Sequence, residues 1–385
     1  MAAKKKIPCA ILRGGTSRGV YFLMQDIEAS GENRDQLLLE VMGSPDKKQI
    51  DGLGGATSVT SKVAMIAPSS RPDADVDYTF AQVSVDKAVV STKGNCGNIS
   101  SGVGPFAIER GLVPVTGEMT TVRIFNTNTG KLIYADICTE DGGVRYEGDF
   151  AIAGVPGTAA PVRLRFIDPA GSMSGKLLPT GNRKDVLDVP GLGQVTVSIV
   201  DVTNPLVFVK AADVGMTGRE LPADIDGDPA LLERLEAVRG MAAVKLGYVE
   251  DYRRAAWDSP GVPKMTVVSP PADYTASDGS TISAGDVDLV SRMMSMQKAH
   301  PSYAMTGAMC TVAAAAIEGT VVHEVLCGTP DWANFRIGHA SGILPAGVVA
   351  HEENGAFVID EASGFRTANL LMDGFAFYHG GQKRT

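Results

Sequence analysis

The sequence predicts an α+β protein of two similar domains, each a β-sheet rolled around a central α-helix. Three observations carry that expectation. At 385 residues the chain exceeds the length at which one hydrophobic core keeps growing, and its 44% hydrophobic content supplies apolar surface for two. Its 44 glycines and 21 prolines, beside 6% aromatics, point to many short strands and turns rather than to a helical bundle. Third, the order of strand, turn and helix signals in the first half recurs in the second.

Along the chain, residues 7–12 and 20–22 read as strands flanking the turn Arg13-Gly-Gly-Thr-Ser-Arg-Gly19. Residues 34–42 carry the apolar spacing of an amphipathic helix. A glycine turn at 54–55 leads through small polar residues to Lys62 and an apolar run. Gly94-Asn-Cys-Gly-Asn98 then enters a stretch, 99–111, that predicts a buried helix reached from a loop. The densest run of turn formers, between residues 179 and 194, places the domain boundary at 187/188, giving domains 1–187 and 188–385. Beyond it, residues 195–200, the turn Asp201-Val-Thr-Asn-Pro205 and residues 206–209 repeat the opening. Residues 228–238 read as a second amphipathic helix and 305–319 as a second buried one. Both buried helices close on Ala-Ile-Glu, with glycine next or one residue later. Helices of small residues, apolar on most faces, belong inside a sheet, where backbones approach closely.

Composition excludes several classes of function. A net charge of −9 and an acidic pI near 5.2 argue against nucleic acid, which needs a basic face to displace counterions. Five scattered cysteines lack the spacing of a zinc site or a disulfide framework and suit a reducing cytoplasm. No apolar run has the length of a signal peptide or a membrane span. Gly52-Leu-Gly-Gly55 and Gly102-Val-Gly-Pro105 lack the spacing of a nucleotide-binding loop, and the five histidines show no i, i+4 pairing. The expectation is therefore a cytoplasmic enzyme without metal or cofactor, acting on a small molecule through its own side chains; a homo-oligomer is compatible with this.

Cys96 is the strongest chemical candidate, since Gly-Asn-Cys-Gly-Asn is a poor core sequence and the start of a helix favours negative charge on sulfur. Cys9, Cys138, Cys310 and Cys327 read instead as small buried hydrophobes. Lys62, directly before Val-Ala-Met-Ile, is expected to be partly desolvated, which suits a base, although a lysine reaching out to water reads the same. Arg13 and Arg18 flank a Gly-Gly-Thr-Ser turn whose N–H groups and hydroxyls, Thr16 and Ser17 among them, could hold a carboxylate. Thr57, Ser58, Asn98, Ser100 and Ser101 are weaker candidates of the same kind. In the second half, His300 precedes the second buried helix, whose first turn holds Thr306 and Gly307, and Arg336, His339 and Ser341 form a further candidate carboxylate clamp.

Taken together, Arg13-Gly-Gly-Thr-Ser-Arg-Gly19, Asp51-Gly-Leu-Gly-Gly-Ala-Thr-Ser58 with Lys62 close behind, and Gly94-Asn-Cys-Gly-Asn98 followed by Glu109-Arg-Gly111 resemble one family. It is the group of methylaconitate isomerases, 4-oxalomesaconate tautomerases and 3-methylitaconate Δ-isomerases. The likeness runs through nearly the whole chain and includes residues 300–307. It implies the diaminopimelate-epimerase-like fold and a cofactor-independent allylic 1,3-proton shift on a small di- or tricarboxylate. It also implies Lys62 and Cys96 as the catalytic pair and His300 as a lining residue of the same cleft; with the polar candidates read above, the expected substrate-binding set is Arg13, Thr16, Ser17, Ser58, Asn98, Ser100, His300, Thr306 and Gly307. The details look closest to 3-methylitaconate Δ-isomerase, which interconverts (R)-3-methylitaconate and 2,3-dimethylmaleate; 2-methylaconitate isomerase and 4-oxalomesaconate tautomerase are the alternatives. Lys62 is the expected base for the first proton, with Cys96 polarising the substrate or returning the proton. A two-thiol racemase or epimerase is disfavoured, because the second buried helix opens on Met305-Thr-Gly, with Cys310 a turn further in. A carboxylate-binding protein without chemistry would leave the reactive thiol unexplained.

Overall fold

In the computed structural model, which describes residues 4–92, 96–152 and 154–380, the chain divides into two units, Met1–Arg165 with Phe365–Thr385, and Phe166–Gly364. The first opens on a hairpin of β1 (Lys5–Gly14) and β2 (Ser17–Leu23), closed with Gly14 opposite Ser17. The turn is tighter than the span 13–19 suggests, and Gly15 makes it possible. Its φ of +53° lies in the left-handed region, and a Cβ there would fall 2.3 Å from Asn98 Oδ1. Two helices follow, α1 (Met24–Ala29) and α2 (Arg34–Met42), the latter capped by the Asn33 side chain accepting from Gln36 N–H. Leu37, Leu38, Val41 and Met42 of α2 pack with Val63 and Met65 of β3 (Lys62–Pro68) in one core.

β3 lies parallel to β2, with Lys62 beside Gly19, and antiparallel to β4 (Val76–Val83), whose end carries the short β5 (Val90–Ser91). The buried helix comes in two pieces, α3 (Gly97–Ser100) and α4 (Val103–Glu109). Pro105 accounts for the break, since it has no N–H for the Ser101 carbonyl four residues back. β6 (Met119–Asn126) runs parallel to β4 and antiparallel to β7 (Lys131–Glu140), which also carries β8 (Gly143–Val144). α3 packs on β1, β2 and β3, and α4 on β3, β6, β7 and β8, so the sheet encloses the broken helix.

β9 (Pro161–Ile167) carries the chain across the division. In the second unit β10 (Asp185–Val189), β11 (Gly193–Val202) and β12 (Asn204–Lys210) pair antiparallel in turn. α5 (Pro222–Asp226), α6 (Pro229–Lys245) and α7 (Ala255–Asp258) follow, and Asp228 caps α6 by accepting from Ala230 and Leu231 N–H. β13 (Lys264–Ser269) is parallel to β12. After the small hairpin of β14 (Tyr274–Thr275) and β15 (Thr281–Ile282), β16 (Leu289–Ser295) returns antiparallel to β13 and carries β17 (Lys298–Ala299). α8 (Met305–Ala316) is unbroken and buried against β11, β12 and β19 (Gly342–Glu353). β18 (Phe335–His339) runs parallel to β16 and antiparallel to β19, which pairs with the first part of β20 (Ala356–Tyr378).

Both units therefore repeat one scheme: an antiparallel hairpin, a parallel neighbour, an antiparallel return, a buried helix, and a last hairpin joined in parallel. The registers repeat as well. Lys62 sits beside Gly19, two residues into β2, and Lys264 beside Leu206, two residues into β12. The α+β fold with a duplicated core, expected from the sequence, is present. The division between units falls at Arg165/Phe166, whereas 187/188 lies inside β10, and residues 368–378 return to the first unit to pair with β1. Density of turn formers is a local signal; β1 completes its second row of hydrogen bonds with the far end of the chain. Among the described residues, no helix is long and apolar enough to cross a membrane.

Candidate active site

The start of α3 gathers most of the chemistry. Cys96 is its N-cap residue, extended at φ −124°, ψ 97°, with a free, half-buried thiol. Its carbonyl accepts from Ser100 N–H at 2.9 Å and Ser100 Oγ at 3.0 Å, which fixes the backbone that carries the sulfur. Ser100 is fully buried, and this bond engages its hydroxyl. Ser101 Oγ bonds the Asn98 carbonyl in the same way at 2.6 Å. Gly94 and Asn95 of the cysteine motif lie outside the described residues.

Asn98 ties α3 to the β1–β2 turn. Its Nδ2 donates to Thr16 Oγ1 at 2.9 Å and to Ser17 Oγ at 3.3 Å, and its Oδ1 accepts from Arg366 Nε at 3.1 Å. Arg13, expected to fork a carboxylate, staples the turn through one nitrogen: Nη1 donates to Gly15 O, Thr367 O and Thr367 Oγ1 at 3.0, 3.1 and 2.9 Å. Burial draws the Arg13 guanidinium below its ordinary value. The structure thus brings Arg13, Thr16, Ser17, Cys96, Asn98 and Ser100 into one neighbourhood.

Arg366 is the residue that sequence reasoning missed. It is 8% exposed, and burial pushes its guanidinium down to about 10, opposed by the Cys96 charge. Its Nη1 donates to Phe365 O at 2.8 Å, leaving the planar cation aligned between Asn98 and its own strand. The one signal was a charge inside the strand-like run Ala362-Ser-Gly-Phe-Arg-Thr-Ala368. Two phenols complete the surroundings: burial, with a smaller contribution from Cys96, drives Tyr21 and Tyr78 well above their ordinary range. Tyr21 OH donates to Ile99 O at 2.7 Å. Replacing Arg366 by methionine removes a charged hydrogen bond worth ~1.5–3 kcal/mol. It is expected to slow turnover about 10- to 100-fold. Alkylation of Cys96 by iodoacetamide should slow as well, followed by peptide mass spectrometry so that the exposed Cys327 is counted apart. Unchanged turnover and labelling would remove Arg366 from the site.

Lys62 approaches from β3. Gly19 beside it leaves little room for a side chain, since a Cβ would stand 3.0 Å from Ile99 Cδ1 and 3.1 Å from the Lys62 carbonyl, and the start of β3 packs close to α3. Lys62 Nζ donates to Gln82 Oε1 at 2.6 Å and lies 5.2 Å from the centre of the Phe80 ring. Thr57 and Ser58 are exposed on the turn before β3; Thr57 Oγ1 shares a hydrogen with Thr60 Oγ1, and the Ser58 carbonyl accepts from Gln82 Nε2.

The remaining candidates lie in the second unit. His300 is half-buried, and its Nδ1 accepts from Ser302 N–H at 3.0 Å. Thr306 and Gly307 form the first turn of α8; the Thr306 carbonyl accepts from Thr203 Oγ1 at 2.9 Å, and a Cβ on Gly307 would meet Met293 Cε at 2.1 Å. The expected clamp at 336–341 is internally paired. Arg336 Nε and Nη2 bond Asp288 and Nη1 bonds Gly285 O, Ser341 N–H bonds His339 Nδ1, and Ser341 Oγ bonds Pro301 O. Of the cysteines expected to be buried, Cys9, Cys138 and Cys310 are; Cys327 is exposed, in a loop before Gly328.

A family model described as PrpF protein matches residues 4–379. The chain is 50% identical over 378 residues to the 3-methylitaconate isomerase of Eubacterium barkeri, covering 98% of each. It is 43% identical to the 2-methyl-aconitate isomerase of Shewanella oneidensis over 96% of each. Among solved structures, a methylitaconate-delta-isomerase superposes with a TM-score of 0.92 at 49% identity, over 97% of this chain and 96% of that one. A probable proline racemase from Agrobacterium radiobacter shares the fold alone, at a TM-score of 0.50 and 14% identity over 98% of this chain and 93% of that one.

Proposed function

This chain belongs to the PrpF protein family and is an isomerase, and from that premise we propose that it moves a double bond in a small unsaturated carboxylate by a cofactor-independent 1,3-proton shift. The substrate proposed is (R)-3-methylitaconate, giving 2,3-dimethylmaleate. The observation that carries the chemistry is the half-buried Cys96 thiol at the start of α3, packed close to the strand that opens on Lys62. Identity to the 3-methylitaconate isomerase, 50% against 43% for the 2-methyl-aconitate enzyme, supports the substrate.

In this reading Lys62 takes the proton from the carbon that bears both the methyl group and a carboxylate. The electron pair of that C–H bond delocalises through the adjacent double bond and its carboxylate. The terminal methylene then receives a proton from Cys96 and becomes the second methyl group, so no atom or electron is gained or lost. Thr16, Ser17 and Asn98 supply polar groups for substrate oxygens, and Arg366 supplies a buried cation where negative charge develops. For His300, Thr306 and Gly307 the proposed role is carboxylate binding. Five unpaired cysteines fit a cytoplasmic location.

A racemase with two opposed thiols is a weaker reading. Cys310 is fully buried, its Sγ bonded to Val200 O at 3.3 Å, and burial raises its thiol far above the ordinary range. The deciding experiment incubates the protein in D₂O with 3-methylitaconate, 2-methylaconitate, 4-oxalomesaconate and aconitate, followed by proton NMR. A migrating double bond in 3-methylitaconate at the highest kcat/KM is the expected result. Preference for another acid would change the substrate, and α-deuteration without migration in all of them would replace the isomerase mechanism.

A further inference from the structure

We propose that Gln82 is the positioning residue of Lys62: its side-chain oxygen anchors the amine and sets the direction in which the amine meets substrate. The inference rests on Lys62 being the base.

Lys62 and Gln82 are direct partners across β3 and β4, and Phe80 is the partner of Ala64 one step along the same face. Side chains directly opposite on an antiparallel pair stand close enough to touch. Nζ therefore meets an amide oxygen at 2.6 Å and an aromatic ring face 5.2 Å away. The amide cannot turn over, because Gln82 Nε2 is committed to two carbonyls, Ser58 O at 3.1 Å and Ser61 O at 2.9 Å. A flipped amide would set oxygen against both carbonyls and present N–H groups to the lysine. Strand β4 is held in turn, since Asn128 Oδ1 accepts from Phe80 N–H at 2.7 Å while its Nδ2 donates to Phe80 O at 2.9 Å.

One N–H of Lys62 is thus spent on a fixed acceptor. The other positions on nitrogen, including the lone pair of the neutral amine, are turned away from Gln82 and toward whatever fills the space beside it. A neutral acceptor suits this task. It orients the amine in both protonation states, where a carboxylate at the same place would hold the ammonium and oppose its work as a base.

Two variants test this, Gln82→Met, unbranched and of similar length but without an acceptor, and Gln82→Glu, of equal length but charged. Gln82→Met is expected to lower kcat about 10- to 100-fold, the cost of a misaimed group, with KM changed less than about threefold. Gln82→Glu is expected to move the ascending limb of the pH–kcat profile upward by about one pH unit or more. A purely structural role, tying β4 to the turn at 58–61, would lower both variants in proportion to lost melting temperature and leave the limb in place; that result overturns the proposal, as does kcat within twofold in both. Lys62→Met, assayed beside them, separates the two levels. If it retains full turnover, the assignment of the base has failed, and with it any role for Gln82 through Lys62; if it is inactive while the Gln82 variants are unaffected, only the positioning role has failed.

Discussion

Cys96→Ser is expected to slow double-bond migration by about 10²- to 10⁴-fold, the range that a placed acid or base contributes, while deuterium from D₂O still enters the carbon between methyl and carboxylate. The substitution is nearly isosteric, and the bonds from Ser100 to the residue-96 carbonyl do not involve the sulfur, so the start of α3 should keep its shape. What is lost is the thiol that returns the proton in this reading; an alcohol is a far weaker acid than a thiol. If Lys62 removes the first proton and Cys96 returns it two carbons away, the variant still forms the delocalised anion. Lys62, its captured proton exchanged with solvent, then delivers deuterium back to the original carbon. Proton NMR reads both events in one tube, as loss of the C–H signal without growth of the second methyl. If wash-in stops together with migration, Cys96 is the base, and the roles of the pair are exchanged.

Lys62→Met should give the opposite pattern, with migration and wash-in both falling by about 10²-fold or more. Methionine keeps an unbranched stem against Phe80, which is 5% exposed, so the core beside β3 is retained. Gln82 Oε1 loses its partner, but Gln82 is only half-buried and water can replace the ammonium. A melting temperature within a few degrees of the parent would show that chemistry, not folding, was removed. Retained wash-in with lost migration would instead make Lys62 the proton donor. The two variants together thus order the steps that neither resolves alone.

Much of the fold was legible because it is written in local patterns. The glycine-rich turn at 13–19 and the Asn-Pro turn at 201–205, the capped helices after Asn33 and Asp228, and the paired Ala-Ile-Glu endings all concern residues within a few positions of one another. The same locality explains the misplaced boundary. Turn formers cluster at 179–194, yet the units are divided by which strands pair, and the pairing of β1 with residues 368–378 has no signature near either segment. The break between α3 and α4 could have been anticipated from Pro105; the run of apolar residues concealed it.

For the site, sequence alone determined the chemical inventory: a cysteine among glycines and asparagines, a lysine at the head of an apolar strand, and a hydroxyl-bearing glycine turn. Residue type and immediate neighbours suffice for that, because reactivity begins with the functional group. Only the tertiary structure decided which polar groups remain available. Arg13, Ser100, Arg336 and Arg366 each have a donor committed to one of the protein's own oxygens, and Gln82, unremarked in sequence as Arg366 was, holds the amine of Lys62. The physical reason is that a hydrogen bond is set by distance and direction in space. Strand register brings Gln82 across from Lys62, and the far end of the chain delivers Arg366 to Asn98; neither depends on separation along the sequence.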